Sequence, residues 1–517
     1  MPTGSRTANT LKNSRISLIF YVIVIFLNFF SRKVFIDALG AEILGLNTTI
    51  TNLLGLLNLS ELGISSAVAF TLYAPIARND RKAIQEIVSV QGWLYSIIAI
   101  IVIVGSVVMM AFFPMIFAKT GLPLWYAYAT FAVFLFSALL GYFVNYQMIV
   151  LSASQKEYLN VIAKQLPVCI KTVAQIIVLL YVKQGYVAWL ILEVIFAIVT
   201  AWLYSYMVRK EFPWLEVSIS LGKKVRRSYP VILTKVKQLF FHKIGTFVLF
   251  QSSPLVIYGF TTLTMVAIYG NYMLVINGCI ALLGAVFNGI TPILGNLATE
   301  KNKAKELDIF NQFILVRFFL GAIVTFGIIM GADDFVTLWV GDEYMMPKVP
   351  FLLLASISYI QMTRPFDFFL SAYGRFEDIW APVIEAAINL GGSILLGYFF
   401  GLTGIFIGIL LSLLVIVVGW KGYFLATRDL EIPSYLPTLK YLLYTAYFAI
   451  IGWALYLLFD TLQMSNGIGI LGWFGYVSLK VGVFALVSLI PLYLFDKNMK
   501  RLTARFIEPV MDKIRRR

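Results

Sequence analysis

Charge is scarce in this chain. Of its 517 residues only 13% are Asp, Glu, Lys or Arg, against about 25% in an ordinary soluble domain. No stretch is long and polar enough to form a separate soluble domain. There is one histidine, His242, so neither a Ser/His/Asp set nor a His-based metal cluster can be assembled around it. The two cysteines, Cys169 and Cys279, fall inside predicted helices, which rules out a disulfide framework. No G-x-x-x-x-G-K-[ST] loop is present, which excludes nucleotide hydrolysis by that route. No large loop is available to house a glycosyl-transfer site. Net charge is +15, but no aromatic-plus-basic soluble module accompanies it, so nucleic acid is not an expected partner. No metal or organic cofactor is expected.

What the chain has instead is apolar length. It is 60% hydrophobic, with a mean hydropathy of +0.86. Runs of about 20 apolar residues recur from end to end, as membrane-spanning helices require. They are continuous and do not alternate as barrel strands do. The expected class is an all-α polytopic membrane protein. Fourteen spans are predicted at 16–36, 43–73, 86–113, 124–151, 160–182, 186–208, 229–258, 263–291, 309–331, 350–372, 379–400, 404–425, 440–460 and 472–494. The second and eighth are long, which predicts tilt or kinking. The first run is too long for a signal-peptide core and is expected to stay as a helix. With the N-terminus inside, the inner segments carry 27 Lys and Arg and the outer ones 5. That asymmetry predicts cytoplasmic termini and an even number of spans.

The two halves share punctuation. Leu44-Gly45-Leu46-Asn47 is echoed by Ile268-Tyr269-Gly270-Asn271, Pro75-Ile76-Ala77 by Pro292-Ile293-Leu294, and Leu151-Ser152-Ala153 by Leu370-Ser371-Ala372. The offsets are 224, 217 and 219. Three matches in order predict a six-plus-six repeat, and an even number per copy makes the copies parallel. The expected organisation is an N-lobe at 1–208, a basic cytoplasmic loop at 209–228, a C-lobe at 229–425, spans thirteen and fourteen at 426–494, and a basic tail at 495–517. That tail mixes apolar and cationic residues; an interfacial helix on an anionic membrane and a solvated topology anchor both fit it.

Several charges fall where lipid would not tolerate them alone. Lys171, Lys243, Arg317 and Arg364 lie deepest, with Lys164 and Lys235 nearer the inner face. Lys164, Lys171 and Gln175 share one face of the fifth span. Arg364 precedes Pro365, which should kink the helix and free carbonyls, and Asp367 is three residues on, within pairing reach. These cations read either as interhelical ion pairs or as the lining of a water-filled cavity. The acids Glu61, Glu193, Asp367 and Glu385 read either as counter-ions or as coupling sites that take up a proton, since burial raises a carboxyl pKa. Glu61 is the deepest and has no acidic counterpart in the eighth span. The Gly404-x-x-x-Gly408 and Gly327-x-x-x-Gly331 motifs predict close helix packing.

At this point the residues resemble a known family. The pattern Arg32-x-x-Phe35-Ile36-x-x-Leu39-Gly40-x-Glu42-x-Leu44-Gly45-Leu46, then Leu59-x-Glu61-Leu62-Gly63-Ile64, then Leu72-Tyr73-x-Pro75 is similar to the N-terminal pattern of bacterial polysaccharide-biosynthesis transporters. These are the Wzx-type flippases of the multidrug/oligosaccharidyl-lipid/polysaccharide exporter superfamily. Leu338-Trp339-Val340-Gly341-x-x-Tyr344 resembles their second-lobe phrase. The resemblance implies two six-helix lobes forming a V-shaped cavity, with helices 13 and 14 alongside, in the bacterial inner membrane. It implies alternating access that carries an undecaprenyl-diphosphate-linked oligosaccharide across for O-antigen, capsule or exopolysaccharide assembly. Membrane lipids, a glycan polymerase and other assembly machinery are the implied partners, and coupling to H⁺ or Na⁺ stays open. On this reading the basic residues bind the diphosphate by charge-assisted hydrogen bonds. Competing readings are a cation-coupled multidrug exporter, whose site should be acidic and aromatic, a peptidoglycan-precursor flippase, and a membrane glycan polymerase or ligase.

Overall fold

A computed structural model describes residues 3–58, 64–182, 185–234, 236, 252–287, 294, 297, 302–373, 375, 377–378, 380–462 and 469–501. Among these residues every regular element is helical, and ten helices are long and apolar enough to cross a membrane. The protein is a multi-pass membrane protein. Its contacts divide it into two compact units, Met1–Ala267 and Ile268–Arg517.

Unit 1 opens with α1 (Thr3–Leu39) and α2 (Ala41–Leu57). Gly40 joins them at φ 84°, a conformation costly for any residue with a Cβ. α3 (Ile64–Ala77) follows, and residues 59–63, inside the predicted second span, lie outside the described residues. α4 (Arg81–Ala111) begins at Asp80, whose carboxylate accepts from the Ala83 N–H at 3.0 Å as an N-cap should. Then come α5 (Leu124–Phe143), α6 (Glu157–Tyr181), α7 (Gly185–Glu211) and the short α8 (Ile219–Val225). The basic stretch after α7 lies along α4: Gln85 Nε2 donates to Trp214 O at 2.7 Å, and Arg226 sits over the Trp93 ring. α9 (Ser253–Phe260) packs on α2. The core of this unit joins Ile64, Val68 and Leu72 to Ile87, Val88, Tyr95 and Val102.

α10 (Leu263–Phe287) crosses the boundary between units. Unit 2 continues with α11 (Lys303–Trp339), α12 (Lys348–Thr363), α13 (Pro365–Ala372), α14 (Trp380–Ser412), α15 (Leu436–Thr461) and α16 (Gly469–Phe495). The predicted tenth span breaks at Arg364. The eleventh and twelfth are one helical hairpin folded at Gly401 (φ 56°, ψ −134°). Its limbs touch backbone to backbone: a Cβ on Gly404 would lie 1.9 Å from Leu396 O. Past Ser412 the chain runs through π-helical turns (Leu413–Trp420, Ala426–Leu430) around a short α segment, Lys421–Leu425. Gly327 and Gly331 pack against Val481 and Val477 of α16. Both glycine motifs therefore mark close helix approach, which in lipid substitutes van der Waals contact for a hydrophobic driving force.

Candidate functional site

In unit 1 the fifth and sixth predicted spans, α6 and α7, form a hairpin. Lys171 and Glu193 lie at similar distances from its turn. Lys171 Nζ is 2.8 Å from Glu193 Oε2, and Gln175 Nε2 donates to Glu193 Oε1 at 2.9 Å. The polar face of α6 thus closes on one carboxylate, and both its oxygens are occupied. Lys164, two turns away on that face, is exposed. Lys235, Lys243 and Glu61 lie outside the described residues.

Unit 2 gathers more charge around the break between α12 and α13. Pro365 has no N–H to extend α12, and the last carbonyls of a helix lack in-helix partners. One of them, Thr363 O, accepts from Arg317 Nε. Arg364 Nε donates to Asp367 Oδ2 at 2.7 Å, and its Nη2 is 3.6 Å from Glu385 Oε1. Lys421 Nζ donates to Asp367 Oδ1. Two cations, Arg364 and Lys421, thus share Asp367 and Glu385, and Arg317 is a third cation at the same break.

Arg317 is the cation without a carboxylate in hydrogen-bond range. It is only 6% exposed, and among the described residues its Nη1 has no hydrogen-bond partner. Aromatic faces take that place: the guanidinium carbon lies 4.1 Å from the Phe368 ring centroid, 4.6 Å from Phe287 and 5.9 Å from Phe313. Such stacking stabilises a desolvated guanidinium. Glu385, 2% exposed, heads a polar face on α14 that continues through Asn389 and Ser393. Among the described residues its Oε1 accepts no hydrogen bond.

Sequence reasoning placed Arg364 with Asp367 and did not place Lys421 there. Of the phenylalanines around Arg317, Phe313 lies four residues before it on α11, while Phe287 and Phe368 come from other helices and carry no local signal. Lys480, also buried, lies 3.8 Å from the Tyr476 ring centroid on its own helix.

The residues that carry the N-terminal motif do structural work. Arg32 Nη2 donates to Ala267 O at 3.1 Å. Glu42 Oε1 accepts from Thr120 Oγ1 at 2.6 Å and from the Gly121 N–H at 3.0 Å. A Cβ on Gly45 would stand 1.9 Å from Leu263 O. The repeat is visible in matched turns: the Lys156 N–H donates to Leu151 O and the Arg375 N–H to Leu370 O, each at 2.9 Å. Each turn's cation then clasps an acid, Lys156 to Glu211 and Arg375 to Asp429. The Asp429 carboxylate raises the pKa of Arg375, first by that hydrogen bond and then by charge.

The sequence matches no protein-family profile, and no curated protein sequence matches it. Solved structures do match in fold. The lipid II flippase MurJ, in an inward closed conformation, superposes with a TM-score of 0.63 at 14% identity, over 92% of this chain and 99% of that one. A multidrug resistance MATE family transporter of the MOP superfamily superposes in its inward-facing conformation with a TM-score of 0.57 at 15% identity, over 78% and 94%. An outward-facing structure of such a MATE transporter gives 0.51 at 15% identity, over 82% and 96%. The fold is similar to that of these solved transporters. The described charges of unit 2 leave a positive excess at one helix break. Among the described residues the Arg317 Nη1 is left without a hydrogen-bond partner there.

Proposed function

We propose that this protein flips undecaprenyl-diphosphate-linked oligosaccharide across the bacterial cytoplasmic membrane by alternating access, for surface polysaccharide assembly. The single observation that supports it most is the surplus of cations at the α12–α13 break. A cationic drug would be repelled there, whereas a diphosphate would be held by charge-assisted hydrogen bonds. Arg317, Arg364 and Lys421 are the proposed headgroup ligands. Lys243 and Lys235 remain candidates on sequence grounds, as does Lys164 for its exposed charge. Glu385, beside Arg364 yet without a hydrogen bond, is the acid best placed to act as counter-ion or proton carrier, with Asp367 as its neighbour. Glu193 serves as the partner of Lys171, and Glu61 stays a candidate from the sequence. Membrane lipids and a glycan polymerase are the expected partners, with both termini on the cytoplasmic side.

Reconstitution with fluorescent polyprenyl-diphosphate oligosaccharide tests this. Transfer between leaflets, together with no uptake of a cationic dye, is the expected result. Dye transport without lipid transfer would make the protein a multidrug exporter. Transfer of a peptidoglycan precursor in preference to other glycans would change the cargo and keep the mechanism.

A further inference from the structure

Unit 1 carries an exposed groove of about 720 Å³ between α5 and α7. Its wall is apolar, formed by Leu140 and Val144 on one side and by Ile198 and Ala201 on the other. Trp202 and Tyr206 line it further along and stack on each other, 5.7 Å apart at 17°. Trp202 is 64% exposed, too much for a packing residue. One end of the groove is closed by Arg209 and Lys210, both exposed, and among the described residues no carboxylate lines it. The adjacent Glu211 is held by Lys156.

An apolar channel, an aromatic pair and two cations in that order match the profile of one bilayer leaflet. Trp and Tyr prefer the headgroup level, and Lys and Arg lie just beyond it. From Trp202 to Arg209 is about 10 Å along a helix axis. The chemistry that fits is an acyl chain along the wall with a phosphate at the cationic end. A sugar-bearing headgroup fits poorly, because Ser205 is the one hydroxyl of the wall away from Tyr206.

We infer that the α5–α7 groove is a binding site for an anionic glycerophospholipid of the surrounding membrane, with Arg209 and Lys210 holding its phosphate. The site is separate from the cluster at the α12–α13 break and does not depend on which cargo is carried.

Native mass spectrometry of the full chain, offered phosphatidylglycerol and phosphatidylethanolamine in equal amounts, reads the site directly. Wild type should keep phosphatidylglycerol in preference. The double variant Arg209→Gln/Lys210→Gln should lose that lipid at least about tenfold. Lys223→Gln/Lys224→Gln, with the same loss of charge, should keep it. Equal retention of the two lipids overturns the proposal, as does equal loss in the two double variants. Preferential capture of undecaprenyl phosphate over phosphatidylglycerol overturns the assignment to a phospholipid. If the first double variant does not fold, Trp202→Leu reads the same groove with its charges intact. It should lower phosphatidylglycerol retention several-fold, and unchanged retention counts against the site.

Discussion

In unit 1 Lys171 meets a carboxylate whose two oxygens are both occupied, whereas in unit 2 two cations share two carboxylates and a third rests on phenylalanine rings. Yet both units carry the same turn at Leu151-Ser152-Ala153 and Leu370-Ser371-Ala372, and the same cation-to-acid clasp beyond it. The repeat is thus kept at the helix ends and lost at mid-helix. Helix ends set the packing geometry of a lobe, so both copies need them. Mid-helix charge is costly in lipid, and a surplus there is tolerated when rings, carbonyls or a ligand compensate it. Aromatic faces do so without neutralising the cation, which keeps its charge available to an anion.

Five substitutions test that contrast. The largest effect is expected for Arg364→Ala, which removes the cation beside Asp367 and Glu385. Unfolding in detergent should show a loss of about 3–5 kcal/mol, as for one partner removed from a buried ion pair, and lipid transfer should stop. Adding Glu385→Gln should restore folding without restoring transfer. Recovery of both would reduce the cluster to a structural ion pair.

Next comes Arg317→Met, close in length and able to stay among the phenylalanines. Lipid transfer should fall about tenfold or more, the equivalent of one charged hydrogen bond, with little change in unfolding. Unimpaired transfer would erase the difference between the units.

Unit 1 should answer oppositely. Lys171→Met leaves Glu193 with Gln175 alone and should impair transfer, while Lys171→Met/Glu193→Leu should recover it to within about twofold, because removing both partners of a pair is far milder than removing one. If the double variant stays inactive, Lys171 is a cargo ligand after all.

The smallest effects belong to the clasps. Lys156→Ala and Arg375→Ala should each cost about 1 kcal/mol or less, diminishing in high salt, as for partly exposed pairs. Double-mutant cycles with Glu211 and Asp429 measure this. A large difference between the two cycles would argue that the turns are not equivalent.

Much of this was legible from residue order. Pro365 marks the break at Arg364 because a missing N–H ends α12 wherever the chain goes next. The glycine spacings in α11 and α14 foretold close packing because only glycine admits a backbone within those distances. Lys171 and Glu193 could have been paired by their similar distances from the α6–α7 turn. Other features depend on three dimensions alone. Phe287 and Phe368 approach Arg317 from two other helices and no short-range period links them to it, whereas Phe313 stands four residues before it on α11. The second predicted span, 43–73, covers Ala41–Leu57 and Ile64–Ala77, with 59–63 between them outside the described residues.

The π-helical turns before Lys421 have one further consequence. A π turn accommodates an extra residue relative to an α turn, and one residue rotates everything after it by about 100°. Lys421 reaches Asp367 only at its present phase. If that stretch relaxed to an α-helix at its present length the ammonium would swing away, with every amino acid of the cluster still in place, and removing one residue at the same time would return it near its present phase. The local charge of unit 2 is therefore a property of helical phase as much as of composition. Sequences with the same residues but a different phase in that stretch would carry a different field.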